Sequence, residues 1–176
     1  MNSRESHKGF SLFELLIAIA VVGLLSAFAI PAYRSYIDTA NMTKVTANFE
    51  QAIRMAQNTF AQHRTRVAIG LPTPLPNDTQ GWIDLLNSTG VEAPGGGPAY
   101  IESSNNQTTG RGDPVTGAIG VLWREYREAK EKKNGDIREE REAELLLWRP
   151  LYSSLREQRA IIKADDIEII NQRSPE

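Results

Sequence analysis

Residues 10–30 read FSLFELLIAIAVVGLLSAFAI, a 21-residue apolar run interrupted by a single charge, Glu14. As a helix rising ~1.5 Å per residue, the run is long enough to cross a ~30 Å hydrocarbon layer. A carboxylate within such a span costs roughly 2.5–3.5 kcal/mol on insertion scales, so its presence points to a function. What decides the reading of the chain is the cation that Glu14 meets. By depth alone Glu14 could also snorkel to the near interface, since it lies only five residues into the run.

The flanks set the context of that run. Residues 1–9 (MNSRESHKG) are polar and place Arg4 and Lys8 ahead of the apolar stretch, which favours retention of this end in the cytoplasm. A cleaved signal peptide is one reading, with Ala27-Phe28-Ala29 as an A-x-A site. Against it, the apolar core is longer than a usual h-region, carries Glu14, and continues downstream as a helical pattern. The 176 residues carry a net charge of −2, which demands neither nucleic acid nor anionic lipid as a partner. Cysteine is absent, excluding a disulfide framework, thiolate metal sites and a cysteine nucleophile. With His7 and His63 as the only histidines, imidazole sites have almost no raw material.

Lys8-Gly9 followed by Phe10-Ser11-Leu12-Phe13-Glu14 resembles the type III signal of type IV pilins and the related pseudopilins. In that pattern a short basic leader ends in glycine, a hydrophobic residue opens the mature chain, and glutamate stands fifth after the cut. Gly23 and Pro31 fall where type IV pilins commonly carry glycine and proline, and the resemblance is strongest over residues 8–36. It implies that a prepilin peptidase cuts after Gly9 and N-methylates Phe10, and that Phe10 and Glu14 act in filament assembly. It also implies a homo-oligomeric helical filament, an assembly ATPase working through an inner-membrane platform protein, and an outer-membrane secretin where that membrane exists. The precursor would sit in the inner membrane and the filament outside the cell. Many type IV pilins close a C-terminal loop with a disulfide, and this chain departs from them in having no cysteine.

After residue 30 the pattern turns amphipathic. Pro31 lacks a donor N–H and would kink a helix. Beyond it Tyr33, Ile37, Ala40, Val45, Phe49, Ala52, Ile53, Ala56 and Phe60 recur at spacings of three and four, one apolar stripe. The spacing predicts helix over about residues 10–66, with Gly70 and Pro72 beyond its end. Residues 71–116 are rich in Gly and Pro and read as loop, apart from a short helical candidate at Trp82-Ile83-Asp84-Leu85-Leu86 capped by Asp78 or Thr79. In the charged stretch 124–144, a helix would pair Glu128 with Lys132, but Asn134-Gly135 favours a hairpin. Strands are expected near residues 117–124, 142–149 and 160–170. The resulting fold class is α+β: a long N-terminal helix whose C-terminal half packs on a three-stranded antiparallel sheet. The expected organisation is a leader at 1–9, an apolar assembly half of the helix at 10–30, an amphipathic half at 31–70, and a head at 71–176 with its sheet in 117–170.

Cleavage after Gly9 would create a cationic amine on Phe10, one helical turn from Glu14 of the same chain. In a stack of parallel helices that amine could equally meet Glu14 of a neighbour. A carboxylate in hydrocarbon gains most when paired, because low dielectric magnifies both its desolvation and its attraction. Gly23 and Pro31 bracket a stretch of reduced helix persistence, readable either as extensibility or as helix packing and a static kink.

Other motifs read as structure. Arg111-Gly112-Asp113 before Pro114 is a turn. The sequons at Asn41, Asn77, Asn87 and Asn106 are short matches in a polar chain. Lys130, Lys132 and Lys133 are interleaved with Glu128 and Glu131, as at a solvated hairpin tip. Asp165-Asp166 fits a strand end better than a calcium site, and Trp123 and Trp148 are candidates for a cross-strand pair. No nucleophile–base arrangement, phosphate-cradling loop or cofactor motif is visible, so catalysis is not expected. The leading expectation is a pilus subunit. A type II secretion pseudopilin and a membrane-anchored or secreted binding domain are the alternatives.

Overall fold

The computed structural model describes residues 9–72, 75–103, 111–131 and 137–171. The chain divides into two units, Met1–Ala40 and Asn41–Glu176. Helix α1, Leu12–Ala68, contributes to both and runs two residues beyond the expected end. It stops where Gly70 adopts φ +71°, while the Leu71 and Gly70 N–H groups donate to the Arg66 and Val67 carbonyls. This pair of bonds satisfies carbonyls that the helix end would leave bare, and the left-handed residue it needs is glycine.

In the first unit the helix continues through Pro31, and its apolar side chains have no cover. Tyr33 and Ile37, which open the amphipathic stripe, are exposed as well. In the second unit the stripe behaves as its spacing predicts. Val45, Phe49, Ala52, Ile53, Ala56 and Phe60 are all buried. Each large side chain taken out of water contributes roughly 1.5–3 kcal/mol.

Helix α2, Thr79–Asn87, is capped by Asp78, whose Oδ1 accepts from the Gly81 N–H at 2.7 Å. Thr79 instead ties the helix to the sheet, its Oγ1 accepting from the Trp123 N–H at 3.0 Å. Trp82, Ile83 and Leu86 are the buried anchors of α2, with Leu85 packed beside them.

The sheet corrects the three-strand expectation. It has five strands, with β1 (Tyr100–Glu102) and β2 (Ile119–Arg124) paired parallel. Two-residue strands β3 (Lys130–Glu131) and β4 (Ile137–Arg138) form a separate antiparallel ribbon. The main sheet continues with β5 (Glu144–Arg149), β6 (Gln158–Ile162) and β7 (Ile167–Asn171), in the order β1-β2-β5-β6-β7. The ribbon bears out a hairpin over a helix for the charged stretch, while Lys132 and Asn134-Gly135 lie outside the described residues. The isoleucine-rich segment read as one strand is two, because Lys163 N–H donates to the Asp166 carbonyl and turns the chain back. β1 escaped the sequence reading because three residues, Tyr-Ile-Glu, carry no alternation long enough to see.

One face of the sheet meets α1 and α2 through Ile119, Val121, Leu145, Leu147, Ala160 and Ile162. Trp123 shares this face and closes the core against Trp82 and Phe60, with ring centroids 5.6 and 6.2 Å away. Trp148 does not pair with Trp123: it stands opposite Gly120, and Trp123 opposite Leu145. The two tryptophans therefore point to opposite faces of the sheet.

Tyr100 links the layers. Its hydroxyl donates to the Asn48 carbonyl at 2.8 Å, and Asn48 Nδ2 donates to the Glu92 carbonyl at 3.3 Å. Burial pushes the Tyr100 hydroxyl up to about 12, with Arg54 opposing. The phenol thus stays neutral in the fold at pH values where it ionises in the unfolded chain. Its contribution is complete below about pH 10 and is lost as the pH climbs through about 12. Tyr100→Phe is expected to cost about 1 kcal/mol at neutral pH and to remove this alkaline loss, as measured by urea unfolding of the full chain across that range. At Gly120 the Arg111-Gly112 backbone crosses the strand so closely that an added Cβ would lie 2.5 Å from the Gly112 nitrogen. Gly120→Ala should lower stability by about 1–3 kcal/mol in the same assay.

Candidate functional site

The residues singled out by the sequence, Gly9, Phe10, Glu14, Gly23 and Pro31, all lie in the first unit. Gly9, Phe10 and Ser11 are outside the helix, which begins at Leu12. Phe10 is exposed, as are Leu12, Phe13, Leu15, Leu16 and the large apolar residues that follow to Ile30. This surface is continuous hydrocarbon, and none of its most apolar window is buried.

Glu14 is not bare. Its Oε2 accepts from the Ser11 N–H at 2.9 Å. Ser11 in turn starts the helix: its Oγ accepts from the Phe13 N–H at 3.2 Å, and its carbonyl from the Leu15 N–H at 3.2 Å. Glu14 thus makes its half of a capping box, while the Ser11 hydroxyl caps the N–H one residue earlier, that of Phe13. Ser11 is the site residue that the sequence reading missed. The signal was present as Ser11-Leu12-Phe13-Glu14, an S-x-x-E pattern directly before an apolar run.

Gly23 and Pro31 are not part of that cluster. At 1.5 Å per residue they stand about 13 and 25 Å further along the helix than Glu14. A Cβ added at Gly23 would meet nothing within 4 Å, so nothing in the lone chain's packing calls for glycine there.

The remaining motifs resolve into structure. Arg111 pairs with Glu157 (Nη1 to Oε1, 3.5 Å), and Gly112 is buried against Gly120. The Asp113 carboxylate accepts from Thr116 Oγ1 at 2.7 Å and from the Val115 N–H at 2.8 Å. The RGD tripeptide is a turn with its charges engaged. Asn87 of one sequon bridges the Tyr100 backbone, Asn41 lies on α1, Asn77 is exposed ahead of α2, and Asn106 is outside the described residues. Asp165 sits in the β6–β7 turn and pairs with Arg64 of α1 at the rim of a cleft of about 480 Å³. Asp166 accepts from the Ile167 N–H. Among the described residues no three His, Asp or Glu side chains cluster as metal ligands would. His63 is half-buried, and its Nδ1 has no hydrogen-bond partner among the described residues. Lys132 and Lys133 lie outside the described residues.

Residues 4–30 match the family model of the prokaryotic N-terminal methylation motif. The chain is 49% identical over 42 residues to the type IV major alpha-pilin of Moraxella bovis, covering 24% of this chain and 26% of that one. Over this N-terminal stretch the chain is similar to type IV pilins. Among its pilin relatives, a fimbrial protein of Pseudomonas aeruginosa is 30% identical over 103 residues, 58% of this chain and 63% of the relative. The type IV major fimbrial protein FimA of Dichelobacter nodosus is 46% identical over 56 residues, 31% and 35% of the two chains. This chain thus spans less than two thirds of these pilins' lengths. No solved structure matches it.

The hydrogen bond from Thr116, followed by that from Val115, holds the Asp113 carboxyl below its ordinary value. Such a group stabilises the fold above its unfolded-state value, and the stabilisation is lost as the pH falls through the lower, folded one. Asp113→Asn is expected to flatten the acid limb of stability as the pH falls below about 4, the ordinary carboxylate value, read from thermal melts of the full chain.

Proposed function

We propose that this protein is the structural subunit of a type IV pilus, made as a membrane-anchored precursor and polymerised through its N-terminal helix. The observation that carries this reading is the uncovered apolar surface of residues 10–30 with one carboxylate at its start. Hydrocarbon left in water at roughly 25 cal/mol per Å² must find lipid or other copies of itself, and a helix of this length can take either in turn. The pilin relatives and the methylation motif support the same route.

In this reading a prepilin peptidase cuts after Gly9 and methylates the new amine of Phe10. The Phe10 amine then faces Glu14 of a neighbouring subunit, which neutralises both charges away from water and sets the axial register. Apolar helix burial supplies most of the cohesion. An assembly ATPase working through an inner-membrane platform protein would draw subunits out of the inner membrane into a homo-oligomeric filament outside the cell. The same chemistry serves a secretion pseudopilin. Deleting the protein separates the two by removing surface filaments in one case and blocking protein export in the other.

Mass analysis of the mature chain should find a new N-terminus at Phe10 carrying one added methyl group. Glu14→Val should leave the subunit in the membrane and reduce surface filaments, counted by electron microscopy, at least about tenfold, the factor that ~1.4 kcal/mol corresponds to. Normal filament numbers in that variant would sink the pairing.

A further inference from the structure

We infer that Ser11 is a positioning residue for Glu14. It holds the carboxylate against the end of the helix before any partner arrives. This rests on the assembly reading above and deepens it, since the pairing needs Glu14 to be oriented as well as present.

Glutamate has three side-chain torsions, and on a helix flank with no neighbours it samples many rotamers. In this chain the Ser11 N–H takes one carboxylate oxygen at 2.9 Å and folds the side chain back towards the N-terminus. It is there, at Phe10, that cutting would create the cation. A carboxylate has about four acceptor positions, so one hydrogen bond leaves Oε1 open to an amine while Oε2 stays tied. The tie is worth more in hydrocarbon than in water, where solvent would compete for it.

Ser11 can hold Glu14 only because Ser11 is itself fixed. Its Oγ accepts from Phe13 N–H and its carbonyl from Leu15 N–H, which together set the helix to begin at Leu12. Alanine keeps the backbone N–H but loses the hydroxyl that caps the Phe13 N–H. The first turn then frays and the Glu14 carboxylate is released with it. Threonine restores the hydroxyl.

The test compares Ser11→Ala, Ser11→Thr and Glu14→Val in the full-length chain expressed in its own cells. Filament yield is expressed per cut subunit, with the cut subunit measured from the mass of its N-terminus. Ser11→Ala should be cut normally and yield about fivefold fewer filaments, the factor that a typical lost cap of ~1 kcal/mol corresponds to. Ser11→Thr should return the yield to that of the unaltered chain. The inference is overturned if Ser11→Ala assembles at full yield, if Ser11→Thr fails as alanine does, or if Ser11→Ala is left uncut, since the role assigned follows the cut. Full assembly of Ser11→Ala beside failure of Glu14→Val removes this inference alone. Full assembly of both removes the pairing as well.

Discussion

Exclusion of hydrocarbon from water governs both units, with opposite outcomes. From Val45 to Phe60 the apolar stripe of α1 is sealed by this chain's own sheet and α2. From Phe10 to Ile37 the same kind of surface has no cover in the described residues. The head is satisfied by folding alone, whereas the N-terminal segment is not. What the described residues leave uncovered is apolar surface of a kind that lipid or further helices can take up.

The lack of cysteine makes the C-terminal region depend on weaker ties that act together. β7 pairs along its whole length with β6, and Ile162 is buried beneath that pairing with Ile167 beside it. Arg64 reaches from α1 to Asp165 in the turn, a largely exposed pair of small value by itself. Arg149, at the end of β5, lies over the Phe49 ring at 5.8 Å, and its Nη2 donates to the Arg156 carbonyl. Burial draws that guanidinium below its ordinary value, countered by Glu50. A covalent loop would have constrained the unfolded chain; these contacts act in the folded state alone.

The helices were legible because their signals are periodic and local. Spacings of three and four named the buried apolar residues of α1 from Val45 onward, though not the buried Asn48, and Asp78 announced the start of α2. The sheet was half legible. β2 and β5 were found from apolar runs, but the turn at residues 163–166 was marked only by Lys163 and Asp165-Asp166, a strand-end signal too short to separate two isoleucine-rich strands. Trp123 and Trp148 could not be assigned faces before the register was known, since a shift of one residue inverts a strand. At the candidate site, Glu14 stood out by its chemistry, while Ser11 was passed over because serine in an apolar run looks neutral until its spacing to an acid is counted.

Asn87 has a consequence beyond its own helix. Its side-chain amide donates to the Tyr100 carbonyl and accepts from the Tyr100 N–H, imitating one rung of a neighbouring strand. A side chain thereby occupies the Tyr100 rung of β1, one of the two strands that end the sheet. A sheet edge whose backbone groups are taken up by its own side chains offers less template for pairing with another chain.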